Sequence, residues 1–490
     1  MVRTRFAPSP TGYMHIGNLR TALYGYLFAR KQGGSFILRI EDTDQERFVE
    51  GSLDVIYKTL KETGLEYDEG PDKDGGFGPY TQSQRKALYK QYAEQLVQKG
   101  AAYYCFCTDE QLAEARINAE AQGKTYKYEK KCLSLSEAEI TKRIVAGEPY
   151  VIRQNTPLEG SVSFLDAIFG EISVDCAELD DMVLLKSDGL PTYNFANVVD
   201  DHLMNITHVM RGSEYLSSTP KYNLLYNAFG WEPPIYVHLP LIMKDAHNKL
   251  SKRNGDASYQ DLIAKGYLMD AVINYIALLG WSSGTNQEIF NREELIDIFS
   301  LEGISKSPAI FDPLKLLWMN GEYIKKMPLE QFNALCMPWY EQSVVAGKYD
   351  YLKLSKILQQ RLEIFSQISD KIAFLPEVGE FELSLYTNKK FKLELEGALE
   401  SLQMALPALE AIELWNEENI HNTLINLATE KGKKNGQLLW PVRIALTGQE
   451  STPGGAIELS DILGRTETLK RVRAGIERLQ GCRDWNPSLQ

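Results

Sequence analysis

The sequence lacks the long apolar run that would mark a membrane span. Its longest candidate, residues 271–281, is short and contains Asn274, whereas a spanning helix needs about 20 apolar residues. Cysteine is also scarce, with six in 490 residues, which excludes a disulfide framework of the kind found in small secreted domains. The N-terminus lacks the basic-then-apolar pattern of a secretory signal. We therefore expect a cytoplasmic protein that does not bind membranes.

The chain has no excess of positive charge, because its formal net charge is −13 at pH 7. This argues against nonspecific nucleic-acid binding over the whole surface, although a local basic face that follows one RNA remains compatible with it. No internal repeat or low-complexity segment stands out. The length exceeds that of a single core and predicts roughly three or four domains.

The first twenty residues contain a candidate phosphate site. Residues 4–7 are typical of a strand, prolines and a glycine end it over residues 8–12, and the apolar spacing from Ile16 predicts a helix. A strand that leads into a helix N-terminus offers unpaired backbone N–H groups to a phosphate. His15 can donate to a phosphate oxygen there, and Gly17 permits close backbone approach. By itself, the segment fits an ordinary turn with an exposed histidine equally well.

A second strand and helix follow at residues 35–40 and 52–63. The alternation predicts an α/β fold with a Rossmann-like, doubly wound parallel sheet, whose ligands bind beyond the carboxyl ends of the strands. Residues 9–17 and 41–44 both lie at that edge, which favours an active site there.

The rest of the chain divides into regions that differ in their secondary-structure signals. Strand signals resume at residues 182–185 and 235–238, as expected if the first sheet is completed there, and helical periodicity dominates beyond about residue 323. We predict the first half of a Rossmann domain at 1–102, an insertion at 103–185, the second half at 186–245, a basic loop and stem-contact region at 246–322, and an all-helical region at 323–490 that splits near 380.

The basic run at residues 249–253, Lys-Leu-Ser-Lys-Arg, follows a predicted strand at 238–243. Such a run alone is usually a solvated turn. Together with the early helix start, it resembles the paired HIGH and KMSKS signatures of class I aminoacyl-tRNA synthetases. Asn18 replaces the last histidine of HIGH, whereas Leu250 and Arg253 replace the methionine and final serine of KMSKS.

Further segments are similar to those of the bacterial glutamyl-tRNA synthetases, namely residues 5–12, 39–44, 191–201, 209–212, 311–316 and 441–448. The resemblance implies an acceptor-binding insertion and a helical anticodon-binding region. It also implies a two-step reaction: glutamate attacks the α-phosphate of ATP to give glutamyl-adenylate and pyrophosphate, and a ribose hydroxyl of the tRNA 3′-terminal adenosine then takes the glutamyl group. The expected partners are L-glutamate, ATP with Mg²⁺ and tRNA(Glu), and we expect a monomer.

The resemblance implies roles for individual residues. Developing charge on the phosphates would be neutralised by His15, Gly17, Lys249 and Lys252. The other ATP contacts would be Thr11, Glu214, Ile242 and Ser251. Glutamate would be held by Arg5 and Arg211 at its side-chain carboxylate, by Glu41 at its ammonium, and by Ser9, Tyr193 and Asn197. Outside these motifs, Arg5 would be taken for a strand-edge surface residue and Glu41 for a helix-capping acid. Two buried arginines can reject glutamine, which would leave a guanidinium partly unpaired.

Three cysteines form a candidate metal site. Cys105 and Cys107 lie on one face of an extended segment, and Cys132 follows. A closed zinc site needs a fourth ligand, which in relatives is a histidine at the position of Ser134 or a tyrosine at the position of Tyr128. A structural zinc and a set of reduced cysteines both fit the sequence.

The helical region distinguishes the chain from its nearest alternatives. A truncated relative that glutamylates a modified base lacks it, and glutaminyl enzymes carry β-barrels instead. Its cations are candidates for tRNA phosphate contacts: Lys431, Lys433, Lys434, Arg443, Arg465, Lys470, Arg471 and Arg473. A catalytically silent tRNA-binding paralogue and a general adenylyltransferase are the competing hypotheses.

Overall fold

The computed structural model describes residues 1–44, 46–250 and 258–485, the last four by their backbone alone. The chain forms two compact units. One is a mixed α/β unit of residues 1–264 and 269–313, and the other is a helical unit of residues 265–268 and 314–490. No helix among the described residues is long and apolar enough to cross a bilayer.

The α/β unit begins with the predicted strand and helix. Its helices are α1 (Ile16–Lys31), α2 (Ser52–Glu62), α3 (Lys86–Gln98), α4 (Asp109–Ala121), α5 (Glu137–Val145), α6 (Tyr193–Leu203), α7 (Thr219–Phe229), α8 (Tyr259–Ala264), α9 (Met269–Ala277) and α10 (Arg292–Ile298). Its strands are β1 (Arg3–Phe6), β2 (Ser35–Leu38), β3 (Ala102–Cys105), β4 (Val151–Gln154), β5 (Ser161–Asp166), β6 (Gly170–Asp175), β7 (Val183–Leu185), β8 (His208–Gly212), β9 (Ile235–Leu239), β10 (Ile242–Met243) and β11 (Ala309–Ile310).

The central layer contains the predicted parallel strands. β1 pairs with β2 and β8 pairs with β9, both in parallel. The backbone N–H of Thr207 donates to Arg3 O at 3.0 Å and places β8 beside β1. β9 continues in parallel to β5, and β5 pairs with β6 as an antiparallel hairpin. The α/β class is therefore confirmed, but the sheet is mixed rather than wholly parallel.

Two strand expectations differ from the structure. Val183–Leu185 does not complete the first sheet, because it pairs with β4 in a separate antiparallel sheet of order β3-β4-β7. Its leucines are buried in one cluster with Ile152 and Phe195, so apolar packing holds the strand there. The single strand expected at 238–243 is broken into β9 and β10 at Pro240, which has no N–H to donate to a ladder.

The helical unit is built from α11 (Pro313–Lys326, its first residue in the α/β unit), α12 (Leu329–Glu341), α13 (Tyr351–Leu358), α14 (Ile368–Lys371), α15 (Leu395–Glu410), α16 (Glu417–Glu430), α17 (Asn435–Thr447) and α18 (Ala456–Trp485). One apolar core joins them, with leucines such as Leu362, Leu402 and Leu459 fully buried. α18 is kinked at Gly464, which has φ 77° and ψ 167°.

Candidate active site

Four loops meet at one edge of the central layer. They follow β1, β2, β8 and β9, which are parallel strands, so their carboxyl ends share an edge. The N–H of Glu41 donates to Pro8 O at 3.1 Å, and the N–H of Arg39 donates to Phe6 O at 3.0 Å. The candidate phosphate segment and the acidic strand end are therefore neighbours.

The start of α1 has the geometry of an anion site. His15 is the N-cap, and its Nδ1 accepts from the N–H of Gly17 at 3.0 Å, so in a neutral imidazole Nε2 carries the proton. A Cβ at Gly17 would lie 3.1 Å from His15 Nδ1, and Gly12 has φ +107°; both positions favour glycine. No acidic residue occupies the first turn, so the positive end of the helix dipole is not offset there.

Backbone pairing holds the residues on both sides of the basic run. Lys249, which is exposed, bridges to Met243, and the N–H of Leu250 donates to Ile242 O at 3.1 Å. Ser258 bridges to His15 beyond the basic run. Ser251 and Lys252 lie outside the described residues, but both flanks of their segment are fixed at the edge of the site.

Arg5 and Glu41 are buried within a balanced charge network. Arg5 Nε lies 3.1 Å from Asp201 Oδ1, and Arg39 reaches both Asp201 at 2.7 Å and Glu41 at 3.0 Å. Asp200 accepts from Arg85 Nε at 2.7 Å. Further hydrogen bonds to Asp200 come from Gln82 and Tyr89. Three guanidinium groups thus face three carboxylates, and each charge finds a partner, as buried charges require.

Glu41 and Asp201 respond differently to this environment. Burial raises the pKa of Glu41, and the opposing charges of Arg39 and Arg5 do not cancel the effect. Burial also acts to raise the pKa of Asp201, but Arg39 and Arg5 outweigh it and lower that pKa. Asp201 is therefore the carboxylate whose ionised form the network stabilises, as the partner of both Arg5 and Arg39.

Arg211 is buried without a carboxylate in contact. Its Nε donates to His238 Nε2 at 3.2 Å, and its Nη2 donates to Thr219 Oγ1 at 2.9 Å. The rings of Tyr222 and Tyr215 lie 4.7 and 5.3 Å from its guanidinium carbon. Within the described part of the chain, no ion pair involves Arg211, although its side chain is only 4% exposed. Such a cation is suited to an anionic ligand.

The remaining glutamate candidates surround these groups. Asn197 is buried, and its Nδ2 donates to Tyr193 O at 2.8 Å. The ring of Tyr193 packs 5.2 Å from that of Tyr215. Burial raises the pKa of Tyr193, and the charge of Glu41 adds to the effect. Ser9 is exposed in the loop after β1.

The remaining ATP candidates lie on the same loops. Thr11 donates its N–H to Ser9 O at 2.9 Å. Glu214 is exposed directly after β8. Ile242 is buried in β10, whose backbone is paired with the basic segment.

The cysteine cluster is compact and includes the tyrosine. The Sγ atoms of Cys105, Cys107 and Cys132 lie within 4.8 Å of one another. Tyr128 Oη is 3.2 Å from both Cys105 Sγ and Cys107 Sγ. Arg153 Nε donates to Cys105 Sγ at 3.3 Å. A hydrogen bond with Cys132 lowers the pKa of Cys105 to about 4, and Tyr128 and Arg153 contribute to the shift.

Several cations of the helical unit are already engaged. Arg471 is buried and donates to Glu467 and to the carbonyls of Phe374, Leu375 and Leu446. The prediction that Arg471 contacts a tRNA phosphate is therefore wrong, because its guanidinium is buried and already donates to these partners. Lys433 and Arg473 pair with Glu400 and Glu410, and Lys470 lies 3.3 Å from Glu467, the carboxylate that Arg471 also contacts. Arg443 and Arg465 donate to backbone carbonyls. Lys431 and Lys434 are exposed.

Sequence reasoning missed the partners of the candidate residues. These are Arg39, Gln82, Arg85, Asp166, Asp200, Asp201 and His238. Asp200 and Asp201 occur within a segment already assigned by resemblance, so adjacent acids in an otherwise apolar helix could have signalled a buried ion network. No linear signal connects Asp166 with His238.

Comparison with known proteins agrees with this architecture. Residues 1–318 match the family of class I tRNA synthetases for Glu and Gln, catalytic domain, and residues 331–476 match an anticodon binding domain. The chain is 59% identical over 479 residues to the glutamate–tRNA ligases of Clostridium tetani and Clostridium kluyveri, covering 98% of each chain.

A solved structure is similar along its whole length. The glutamate tRNA ligase from Elizabethkingia meningosepticum, determined in complex with its amino acid, superposes with a TM-score of 0.86 at 37% identity, covering 98% of this chain and 99% of that one. The chain therefore belongs to the class I aminoacyl-tRNA synthetases, and within them to the glutamate–tRNA ligase family.

Proposed function

We propose that this chain attaches L-glutamate to the 3′-terminal adenosine of tRNA(Glu), by way of glutamyl-adenylate formed from ATP. The family membership supports the reaction. The chain's residues need to position the reactants and stabilise negative charge, because neither step requires a covalent enzyme nucleophile.

The observation that carries the substrate assignment is the buried Arg211, which makes no ion pair with any residue that the structure describes. Its charge is satisfied when the side-chain carboxylate of glutamate enters the pocket. Glutamine presents a neutral amide and leaves the cation uncompensated, which disfavours it. Arg5 contributes hydrogen bonds from a guanidinium whose charge Asp201 already balances. Glu41 binds the substrate ammonium, and Ser9, Tyr193 and Asn197 complete the pocket.

The α1 start and the basic segment act on ATP. His15 Nε2–H and the N-terminal end of α1 donate to phosphate oxygens. Lys249, Ser251 and Lys252 supply two cations and a hydroxyl for the phosphates, and Thr11, Glu214 and Ile242 bind the rest of the nucleotide. Mg²⁺ accompanies ATP, and we place the reaction in the cytoplasm with the chain acting as a monomer.

A structural zinc held by Cys105, Cys107, Cys132 and Tyr128 is part of this proposal. Tetrahedral coordination at about 2.3 Å separates two sulfurs by about 3.8 Å, and the Sγ atoms of Cys107 and Cys132 lie 3.7 Å apart. Ser134 is exposed and donates its hydroxyl to Lys131 O at 3.4 Å, which favours Tyr128 as the fourth ligand. The metal would cross-link β3 to the segment that follows α4.

Aminoacylation of total tRNA tests the function. We expect ATP-dependent esterification of glutamate, with glutamine a much poorer substrate. A tRNA-binding paralogue would bind tRNA without charging it, and a general adenylyltransferase would form an adenylate without transfer. Including purified tRNA(Gln) as acceptor shows whether glutamate is also placed on that tRNA.

A further inference from the structure

Two buried side chains lie directly behind Arg211. His238 faces Arg211 across the parallel pair of β8 and β9, and Asp166 reaches His238 from the end of β5. Arg211, His238 and Asp166 are 4%, 0% and 1% exposed. The three therefore form a line of buried polar groups that begins at Arg211.

The hydrogen positions in this line are fixed by its partners. Arg211 Nε can only donate, so His238 Nε2 must accept and carries no proton. Nδ1 of His238 then carries the proton and donates to Asp166 Oδ2 at 2.6 Å. Thr219 donates its one hydroxyl proton to Tyr215 O at 2.9 Å, so its oxygen is the acceptor for Arg211 Nη2.

Asp166 holds this arrangement in place. Its Oδ1 accepts from the N–H groups of Ile168 and Phe169, and its Oδ2 accepts from both the backbone and the ring of His238. Burial acts to raise the pKa of Asp166, but these hydrogen bonds outweigh it and keep the group ionised. Burial lowers the pKa of His238, and the opposing effect of Asp166 does not restore it.

The two pocket arginines therefore differ in charge balance. Arg5 has a carboxylate, Asp201, against its guanidinium. Among the described residues, the groups that contact the Arg211 guanidinium are a neutral imidazole, a hydroxyl and aromatic rings. Hydrogen bonds to His238 and Thr219 orient Arg211, but these neutral partners leave its positive charge for a ligand.

We propose that His238, fixed by Asp166 with its proton on Nδ1, is a positioning residue that orients Arg211 without neutralising it and thereby sets the preference for glutamate over glutamine. This inference rests on the proposed function. A carboxylate in place of the imidazole would orient Arg211 equally well but would remove the charge that selects the substrate.

An isosteric pair of variants separates orientation from charge. His238→Gln keeps a neutral acceptor near the position of Nε2, whereas His238→Glu, made together with Asp166→Asn so that two buried carboxylates do not share one proton, places an anion there. We expect His238→Glu to raise the glutamate KM by about 10- to 100-fold, the range of a charge-assisted hydrogen bond, with kcat and the glutamine kcat/KM changed much less. For His238→Gln we expect a glutamate KM within about fivefold of wild type, since its acceptor remains neutral.

A charged and a neutral substitution at Thr219, which contacts Arg211 through Nη2, provide a second test. Thr219→Asp and Thr219→Asn differ only in charge next to Nη2, and Asp suits the first turn of α7. We expect Thr219→Asp, but not Thr219→Asn, to lose activity with glutamate selectively. Thermal unfolding shows that each variant is folded.

Equal loss of glutamate and glutamine charging in folded His238→Glu and His238→Gln would overturn the inference, because a merely structural histidine would behave so. An unchanged glutamate KM in both His238→Glu and Thr219→Asp would overturn the inference as well. Absence of glutamate charging by the wild-type chain would instead reject the proposed function.

Discussion

Ser258 and His15 form an antiparallel bridge, and Tyr259 donates its N–H to Met14 O at 3.0 Å beside it. Lys249 is bridged to Met243 at the other flank of the basic segment. The contacts of Ser258 and Tyr259 join residues that are more than 240 positions apart in the sequence. They place the end of the loop that carries the basic run beside the start of α1, as a shared site for the two signatures requires.

Lys252→Ala should slow adenylate formation by about 10²- to 10³-fold, the cost of one lost donor to a developing oxyanion. Glutamate affinity should change little, because the pocket arginines remain. Pyrophosphate exchange, measured with tRNA present, gives the rate. The matched control is Lys244→Ala, an exposed lysine on the loop before the segment; equal effects of the two variants would remove Lys252 from the mechanism.

The purified chain should contain about one equivalent of zinc, as a closed four-ligand site predicts. Cys132→Ser should lose the metal and lower the unfolding temperature of the α/β unit, since bound metal stabilises the folded state. Ser134→Ala should retain it. Elemental analysis after gentle purification measures the content, and less than about a tenth of an equivalent in the wild-type chain would reject the site.

Arg471→Met should destabilise the helical unit by about 3 kcal/mol or more, because three buried carbonyls and a carboxylate lose their donor. Arg473→Met should cost less than about 1 kcal/mol, since its ion pair with Glu410 is exposed. Urea unfolding measures both. Similar stability of the two variants would show that Arg471 is not the structural residue described.

Acidification should weaken glutamate binding through Glu41. Only the ionised carboxylate attracts the substrate ammonium, and burial raises the pKa of Glu41. The glutamate KM should therefore rise as the pH falls through that raised pKa, at a higher pH than an exposed glutamate would give. Kinetics from about pH 8 to about pH 5 test this, and a flat profile would exclude Glu41 as the ammonium partner.

Local patterns predicted much of the fold. The start of α1 at Ile16 follows from proline and glycine positions and apolar spacing, and the proximity of Cys105 and Cys107 follows from strand alternation. These features depend on neighbours in sequence, which is why a single chain reveals them.

Contacts between residues that are far apart in the sequence were harder to predict. Whether Val183–Leu185 joins the central layer or the inserted sheet depends on which apolar surface it covers, and no periodicity encodes that choice. Arg471 lies in an amphipathic helix like its exposed neighbours, so only packing shows that it is buried. Asp166 and His238 meet because β5 and β9 are adjacent, which the sequence alone does not indicate.

Glutamate recognition by Arg211 is tested most directly by comparing the charging of tRNA with glutamate by the wild type, Arg211→Ala and the control Arg47→Ala, whose guanidinium is exposed and paired with Asp44. We expect Arg211→Ala to lose glutamate activation and Arg47→Ala to retain it. Retained glutamate activation in folded Arg211→Ala would contradict the central claim.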